Sequence, residues 1–202
     1  SVAVVENDTL LAEYTVNYKK THSQTLLPML DEISNMTELD LSTIDAIAVA
    51  GGPGSFTGLR IGSATAKGLG LALEKPLISI PTTAAIAYNI WDTDKFVCPI
   101  MDARRNQVYT GVYCYTDHRL DTVWEQDTMS IEALAEGLNC LDHEVIFLGD
   151  GVAVYREKLE ALLTIPFSFA PAHVNRQRAA AVGALAEVYY KEGKIQTAEE
   201  HE

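Results

Sequence analysis

The chain has 202 residues, 48% hydrophobic and 21% charged, so it can bury a sizeable core without disulfide or metal support. Its net charge of −13 disfavours direct binding to nucleic-acid phosphate, because like charges repel. The three cysteines are scattered, and no apolar run is long enough to span a bilayer. These features predict a cytoplasmic globular protein with no membrane partner.

The first part of the chain predicts a hairpin followed by a helix. Ser1–Val5 and Leu10–Tyr18 are apolar or alternating runs separated by a polar turn, as in two paired strands. A helix then extends to about Asn35, with Thr21 or Ser23 as its N-cap. Its apolar positions cover more than one narrow stripe, which indicates burial on more than one side.

The stretch Ala46–Leu73 carries the clearest signal in the sequence. Ala46–Ala50 is a short apolar run bounded by turn residues, which is typical of a buried strand. The letters GGPG follow and predict a tight turn. Ser55 or Thr57 then caps a helix that continues to Leu73.

This central helix is unusually rich in small residues. They recur every four positions and so lie on one side of the helix: Gly58, Gly62, Ala66 and Gly70. An interior glycine costs about 1 kcal/mol relative to alanine, so close packing of this side must offset the loss. The neighbour that packs there lies either in the same domain or in a second chain, and the helix pattern leaves both open.

The remaining chain alternates strands with helices, which indicates an α/β fold. Strands are predicted at Leu77–Ile80, Phe96–Met101, Gln107–Tyr115 and Val145–Leu148, with a short extended segment at Pro166–Phe169. Helices are predicted at Ala84–Asn89, Ile131–Leu138, Val152–Leu163 and Arg178–Tyr190. The polar run Asp92–Lys95 marks a boundary, so we predict lobes of residues 1–93 and 94–202, with the last helix packing back on the first lobe.

Two glycine-rich turns give a weak signal for phosphate binding. One is Gly51–Gly54, before the central helix, and the other is Gly149–Gly151, after a predicted strand. Free amides and the helix dipole favour an anion at such turns, which would bring phosphate to Gly52, Gly54 and Ser55. The spacings G-x-x-x-x-G-K-[ST] and G-x-G-x-x-G are both absent, so a purely structural turn is the alternative that the letters favour.

The sequence has no pattern for a metal site or a serine nucleophile. The five histidines show no metal spacing and have no cysteine neighbour, and G-x-S-x-G is absent. Asp102, Arg104 and Arg105 form a compact charged turn, which we interpret as a solvated hairpin tip rather than a catalytic cluster. We therefore predict no catalytic residue and no metal in this chain.

Several stretches together resemble one protein family. The central match is GGPGSFTGLRIGSATAKGLGLAL, and further matches are LAEYTVNYKKTHSQTLLPML, DAIAVA, KPLISIPTTAAIA and MDARRNQVYTGVY. They closely resemble the TsaB (also called YeaZ) family, the bacterial partner in making threonylcarbamoyladenosine on tRNA, and the second half matches more loosely. The resemblance implies an α/β, actin-like (ASKHA, ribonuclease-H-like) fold of two lobes.

The resemblance also implies a partner interface. TsaB looks like a degenerate relative of TsaD, the catalytic subunit, and this chain has Thr82 and Ile86 where TsaD-type chains carry a metal-binding H-x-x-x-H. In the family, TsaB pairs with TsaD, or with itself as a homodimer, through the helices that match His22–Asn35 and Thr57–Leu73. The small-residue side would then be a groove for a second chain. The implied interface residues are His22, Leu26, Met29, Leu30, Ile33, Gly58, Arg60, Ile61, Gly62, Thr65, Ala66 and Leu69.

The expected function is a non-catalytic scaffold that activates a TsaD-like subunit for threonylcarbamoyl transfer to the adenosine next to the anticodon. The family complex also includes a TsaE-type ATPase. Because this chain is acidic, TsaD and other partners would carry the tRNA contacts, and tRNA would contact this chain only indirectly. No tightly bound cofactor is expected, with ATP or ADP able to lie at the interface of the complex. A free-standing actin-like ATPase or phosphotransferase is the alternative, supported by the two glycine-rich turns. A glycoprotease has little physical basis without a metal or a nucleophile.

The chain departs from the family at both ends. Family members begin with a strand before the segment that matches Ser1–Val5, and they continue with a Tyr-Leu-Arg segment past Glu202. That first strand lies in the middle of the sheet in this fold, and its loss would leave unpaired backbone groups on both neighbours. We therefore expect residues upstream of Ser1 in the natural chain.

Overall fold

A computed structural model describes residues 1–17 and 22–201, with side chains described for 1–17 and 25–201. In chain order the strands are β1 (Val2–Glu6), β2 (Thr9–Tyr14), β3 (Ile47–Gly52), β4 (Leu77–Pro81), β5 (Phe96–Arg104), β6 (Gln107–Thr116), β7 (Arg119–Ser130), β8 (Val145–Leu148) and β9 (Phe167–Phe169). The helices are α1 (His22–Met36), α2 (Phe56–Leu73), α3 (Thr82–Ala87), α4 (Ile131–Asn139), α5 (Val152–Leu162) and α6 (Ala179–Lys191), with a 3-10 turn at Leu41–Thr43.

The chain divides into two compact units. Unit 1 comprises Ser1–Ala85 and Arg178–Glu202, and unit 2 comprises Ile86–Gln177. The sequence analysis placed the boundary after residue 93 and counted α6 with the second lobe while packing it back on the first. The structure divides the chain earlier, and α6 packs on the strands of unit 1 as expected and is part of that unit. α6 belongs there because it contacts all four strands of that unit.

Two separate strand pairs form the sheets of unit 1. β1 and β2 pair antiparallel, and Asn7 and Asp8 between them have φ values of 48° and 61°, as in the tight turns that suit a hairpin. β3 and β4 pair parallel. Among the described strands, β1 pairs only with β2 and β3 only with β4.

Helices cover both faces of the hairpin. Ala12 of β2 packs against Met29 and Ile33 of α1. The neighbouring Glu13 points the other way, and its Oε1 accepts a hydrogen bond from the Ala180 N–H of α6 at 3.1 Å. Because successive strand residues point to opposite faces, α1 and α6 lie on opposite sides of the hairpin. α2 covers the second strand pair, which α6 also contacts.

Unit 2 is built on one five-stranded sheet of order β7-β6-β5-β8-β9. β5, β8 and β9 run parallel, whereas β6 and β7 are antiparallel neighbours. α4 and α5 pack against this sheet through fully buried side chains such as Leu134, Leu138 and Leu159, which surround Phe147 of β8. This cluster is the largest continuous core of the unit.

β7 is the element that the sequence analysis did not predict. It is an edge strand of 12 residues, and most of its side chains are half-buried or exposed. It has only four apolar residues, of which Val123, Trp124 and Met129 pack on the core, so its hydrophobic pattern is weak. The other predicted elements occur within a few residues of their expected bounds. Thr21 and Ser23, the expected caps of α1, lie outside the residues and side chains that are described.

Candidate partner interface

A shallow groove lies beside α1 on the open side of α2. It holds about 340 Å³ and is lined by Leu27, Ala64, Thr65, Gly68 and Leu69. Within the part of the chain that the structure describes, a Cβ atom built on Gly68 would meet no atom within 4 Å, so this part of the helix leaves room for a side chain of another molecule. Leu27 is 60% exposed although it is apolar.

An exposed aromatic side chain lies at the start of the same helix. Phe56 is 70% exposed, and the guanidinium of Arg60, one turn further on, stacks over its ring with Cζ 4.2 Å from the ring centroid. Such a pair shields part of the ring from water and presents both apolar and cationic surface. Ser55 positions this turn as the N-cap of α2, since its Oγ accepts from the Gly58 N–H at 3.4 Å.

The small-residue side of α2 faces the β3–β4 sheet of the same unit, which corrects part of the expected interface. Ala66 is 5% exposed and packs against Leu77 of β4. A Cβ on Gly70 would lie 2.9 Å from Cδ2 of Leu77, and one on Gly62 would contact Cγ2 of Val49 at 3.7 Å. Gly62, Ala66 and Gly70 therefore pack within the chain, and Ala66 is not available to a partner.

Two of the expected interface residues on α1 are also buried by packing within the chain. Met29 and Ile33 are each 6% exposed and pack against Val2 of β1. Leu26 and Leu30 are half-buried and pack against the same cluster. Met29 and Ile33 therefore belong to the core of unit 1 and not to its surface.

Of the other expected interface residues, some line the groove and the rest lie elsewhere on α1 and α2. Thr65 and Leu69 line the groove. Arg60 lies near the N-terminal end of α2, where its guanidinium stacks on Phe56. Gly58 and Ile61 are half-buried. The side chain of His22 lies outside the described part of the chain.

The first glycine-rich turn is tightly packed. A Cβ on Gly51 would lie 2.1 Å from Oγ of Ser79, so β3 and β4 approach closely at this point. Gly52 has a φ of 109°, a conformation that side chains rarely adopt, and both Gly52 and Gly54 face Leu59 at 3.5 Å. Packing accounts for Gly51 and the positive φ accounts for Gly52, and the expected phosphate contact at Gly52, Gly54 and Ser55 stays a prediction.

The second glycine-rich turn is closed in the same way. The Gly149 N–H donates to the carbonyl oxygen and to Oδ1 of Asn175, at 3.2 and 3.0 Å, and the Gly151 N–H donates to the carbonyl oxygen of Ile100 at 3.0 Å. A Cβ on Gly149 would lie 2.3 Å from that oxygen of Ile100. These two amides are occupied within unit 2 and are not free to bind phosphate.

The charged turn forms the tip of the β5–β6 hairpin, as predicted. Asp102 accepts from the Arg104 N–H at 2.9 Å and from the Tyr155 hydroxyl at 3.1 Å through Oδ1. The Arg104 side chain is 85% exposed, whereas that of Asp102 is 13% exposed. The carboxylate therefore holds the turn, and the arginine faces solvent.

Comparison with known proteins decides the family. A family model described as "TsaD: tRNA N6-adenosine threonylcarbamoyltransferase" matches residues 9–202. The "tRNA threonylcarbamoyladenosine biosynthesis protein TsaB" of Bacillus subtilis (strain 168) is 35% identical over 162 residues, which are 80% of this chain and 71% of the relative. The chain belongs to the TsaB family.

Further relatives and solved structures agree. The Escherichia coli (strain K12) protein of the same name is 32% identical over 157 residues, covering 75% of this chain and 66% of that protein. The solved structure of "YeaZ from Pseudomonas aeruginosa" superposes with a TM-score of 0.82 at 26% identity, over 98% of this chain and 90% of that one. The predicted TsaB (YeaZ) family and its α/β, actin-like fold are thereby confirmed.

Two buried residues occupy the places where TsaD-type chains were expected to carry histidines. Thr82 is 7% exposed and Ile86 is 1% exposed, and both lie on α3. A hydroxyl and an aliphatic side chain cannot replace two imidazole ligands.

No described helix of this TsaB-family chain combines the length and apolar character needed to cross a bilayer.

Sequence reasoning found Thr65 and Leu69 of this surface but missed four other residues. Leu27, Ala64 and Gly68 line the groove, and Phe56 lies at the start of the helix. The prediction was built on the row of small residues at every fourth position of α2. The available signal was Gly68 itself, an interior glycine that lies off that row. Phe56 was equally visible as an aromatic residue directly after the N-cap.

Proposed function

We propose that this chain is the non-catalytic partner subunit of a TsaD-type enzyme in the synthesis of threonylcarbamoyladenosine on tRNA. It would bind and stabilise the TsaD-like subunit, which transfers the threonylcarbamoyl group to the adenosine next to the anticodon. The names of the relatives support this pathway, and the matching family model carries the name of the transferase. The observation that carries the proposal is the open groove between α1 and α2.

The groove has the properties of a docking surface for a helix. Leu27 is exposed beside Gly68, where no atom of the described residues fills the space next to the helix backbone. A missing side chain allows a second backbone to approach closely, and an exposed apolar residue provides area to bury on binding. Phe56 and Arg60 extend this surface with two residue types that often dominate binding energy.

The chemistry of the chain supports a structural role in the complex. Thr82 and Ile86 offer no metal ligand of the TsaD type, and amides of the Gly149–Gly151 turn are used for the fold. The net charge of −13 disfavours direct tRNA binding, so the TsaD-like subunit would hold the tRNA and a TsaE-type ATPase would join through the complex. ATP or ADP would lie at the interface of that complex rather than within this chain.

The same groove would also support a homodimer in the absence of the partner. Both pairings would use α1 and α2, so they exclude each other. Addition of the TsaD-like subunit should then convert homodimers to heterodimers.

A pair of matched substitutions tests the proposal. Leu27→Asp places a charge in the groove, and Val154→Asp places one on α5 of unit 2, at a residue that is similarly exposed (60% and 58%). Molar mass by light scattering after size exclusion should show a heterodimer with a TsaD-like subunit for the wild type and for Val154→Asp. Leu27→Asp should raise the dissociation constant of that heterodimer tenfold or more, because a tenfold change corresponds to a loss of only about 1.4 kcal/mol of binding free energy.

The proposal fails if both variants bind the TsaD-like subunit as tightly as the wild type does. It also fails if the wild-type chain shows no association with that subunit. Circular dichroism of each variant verifies the fold, so that weak binding is assigned to the surface and not to unfolding.

A further inference from the structure

The segment that follows α6 forms a strap across the C-terminal half of α2. The C-terminal strap (residues 194–201) meets the edge of β4 through Gln196, whose N–H and carbonyl oxygen both bond to the backbone of Leu77, at 3.0 and 2.8 Å. Two residues further on, Ala198 is 6% exposed and packs with Ala66 and Leu77. The strap thus extends the sheet edge and fills the notch that Gly70 leaves open.

A lysine of α2 holds the end of the strap. Nζ of Lys67 donates to the carbonyl oxygen of His201 at 2.7 Å, and it lies 3.5 Å from that of Glu199. These bonds place the ammonium group directly beside the last described residue. The strap is therefore anchored at three points: β4, the Gly70 notch and Lys67.

The ring of His201 is enclosed in this arrangement. The residue is 5% exposed, and its Nδ1 lies 3.0 Å from Nε2 of Gln196. An amide nitrogen can only donate, so Nδ1 accepts and the neutral ring carries its proton on Nε2. That Nε2 is buried and has no hydrogen-bond partner among the described residues.

We propose that the strap is a pH-sensitive latch, closed while His201 is neutral and released when the ring takes up a proton. Protonation adds a second N–H at Nδ1, which faces the Gln196 amide donor in the closed strap, and it charges a buried ring whose Nε2–H already lacks an acceptor among the described residues. The ammonium of Lys67, on α2, would also repel it. Within the strap, the carboxylate of Glu200 is turned to the Thr197 N–H at 2.9 Å.

The direction of the pH effect follows from these contacts. Burial, and then the charge of Lys67, lower the pKa of His201 below its ordinary value of 6.5. A group whose pKa is lowered in the closed state stabilises that state above 6.5, and this contribution is lost as the pH falls below 6.5. Release would uncover Leu77, which is fully buried in the closed strap, together with an unpaired edge of β4.

Amide hydrogen exchange followed by NMR tests the latch in the whole chain. Protection of the Leu77 and Gln196 amides, corrected for the intrinsic exchange rate, should fall by up to about tenfold per pH unit below 6.5. The His201 ring resonances should titrate over the same range, below 6.5. The amide of Phe147, in the core of unit 2, should keep its protection and so serves as the internal reference.

Two outcomes overturn the proposal. One is a His201 ring that titrates at or above 6.5 while Leu77 and Gln196 stay protected. The other is a His201→Gln variant in which these amides still lose protection on acidification, because the trigger would then be another group. If His201→Gln abolishes the pH dependence while the wild type shows it, the latch is established.

Discussion

A carboxylate from the first hairpin caps the last helix, and its removal should weaken unit 1. Oε1 of Glu13 accepts from the Ala180 N–H at 3.1 Å, and Oε2 accepts from Nε of Arg178 at 3.1 Å. Arg178 occupies the N-cap position of α6, but its own side chain makes no capping bond. Glu13 supplies from β2 the acceptor that the helix lacks locally.

The expected cost of Glu13→Ala is about 2 kcal/mol. Loss of a capping acceptor costs about 1 kcal/mol. The ion pair with Arg178, whose side chain is 35% exposed, adds about 1 kcal/mol, which is the upper end for pairs in contact with water. For a chain of this length the melting temperature should fall by about 4–8 °C. Glu13→Gln, which keeps the shape and loses the charge, should show a smaller loss.

The pH dependence of the stability lost on substitution of Glu13 is a second test of the same contact. Burial alone would raise the pKa of Glu13, but hydrogen bonds from Arg178 and Ala180 outweigh it and lower the pKa below the ordinary 4.5. A lowered pKa contributes stability above 4.5 that is lost as the pH falls through the pKa of the folded state. The difference between wild type and Glu13→Gln should therefore be full at neutral pH and shrink in acid.

Urea denaturation followed by circular dichroism measures both effects. Glu6→Ala, at an exposed glutamate of the same hairpin, is the matched control and should change stability by less than about 0.5 kcal/mol. The reasoning is refuted if Glu13→Ala costs no more than Glu6→Ala at neutral pH. It is also refuted if the loss in Glu13→Gln is equally large in acid.

The remaining predictions concern α2 and the cysteines. Gly68→Ala should stabilise the chain by up to about 1 kcal/mol in urea denaturation, because its Cβ meets no atom within 4 Å and alanine is the better helix former. Gly70→Ala should destabilise it in the same assay, since its Cβ would lie 2.9 Å from Cδ2 of Leu77, and equal effects of the two changes would contradict this account of the helix faces. Cys98 is fully buried, which raises its pKa to about 12, so a thiol reagent should label the exposed Cys140 at once and Cys98 only on unfolding. Rapid labelling of Cys98 in the folded protein would refute that placement.

The local sequence pattern was sufficient to predict most helices and strands, and it failed where the hydrophobic pattern was weak. β3, α2 and β8 were predicted because apolar runs, turn residues and a capping serine all indicate the same structure there. β7 was missed because an edge strand buries few side chains, so its sequence carries little hydrophobic alternation. The capping of α6 by Glu13 was equally invisible, since the two residues lie on elements far apart in the chain.

The sequence by itself determined the family, the α/β class and the need for close packing along α2. Spacing shows which residues share a side of a helix, but it does not show what covers that side. Gly68 and Gly70 are two positions apart and therefore point about 200° away from each other. Only the tertiary structure decided that Gly70 meets β4 while Gly68 faces open space, because that choice depends on where distant strands lie.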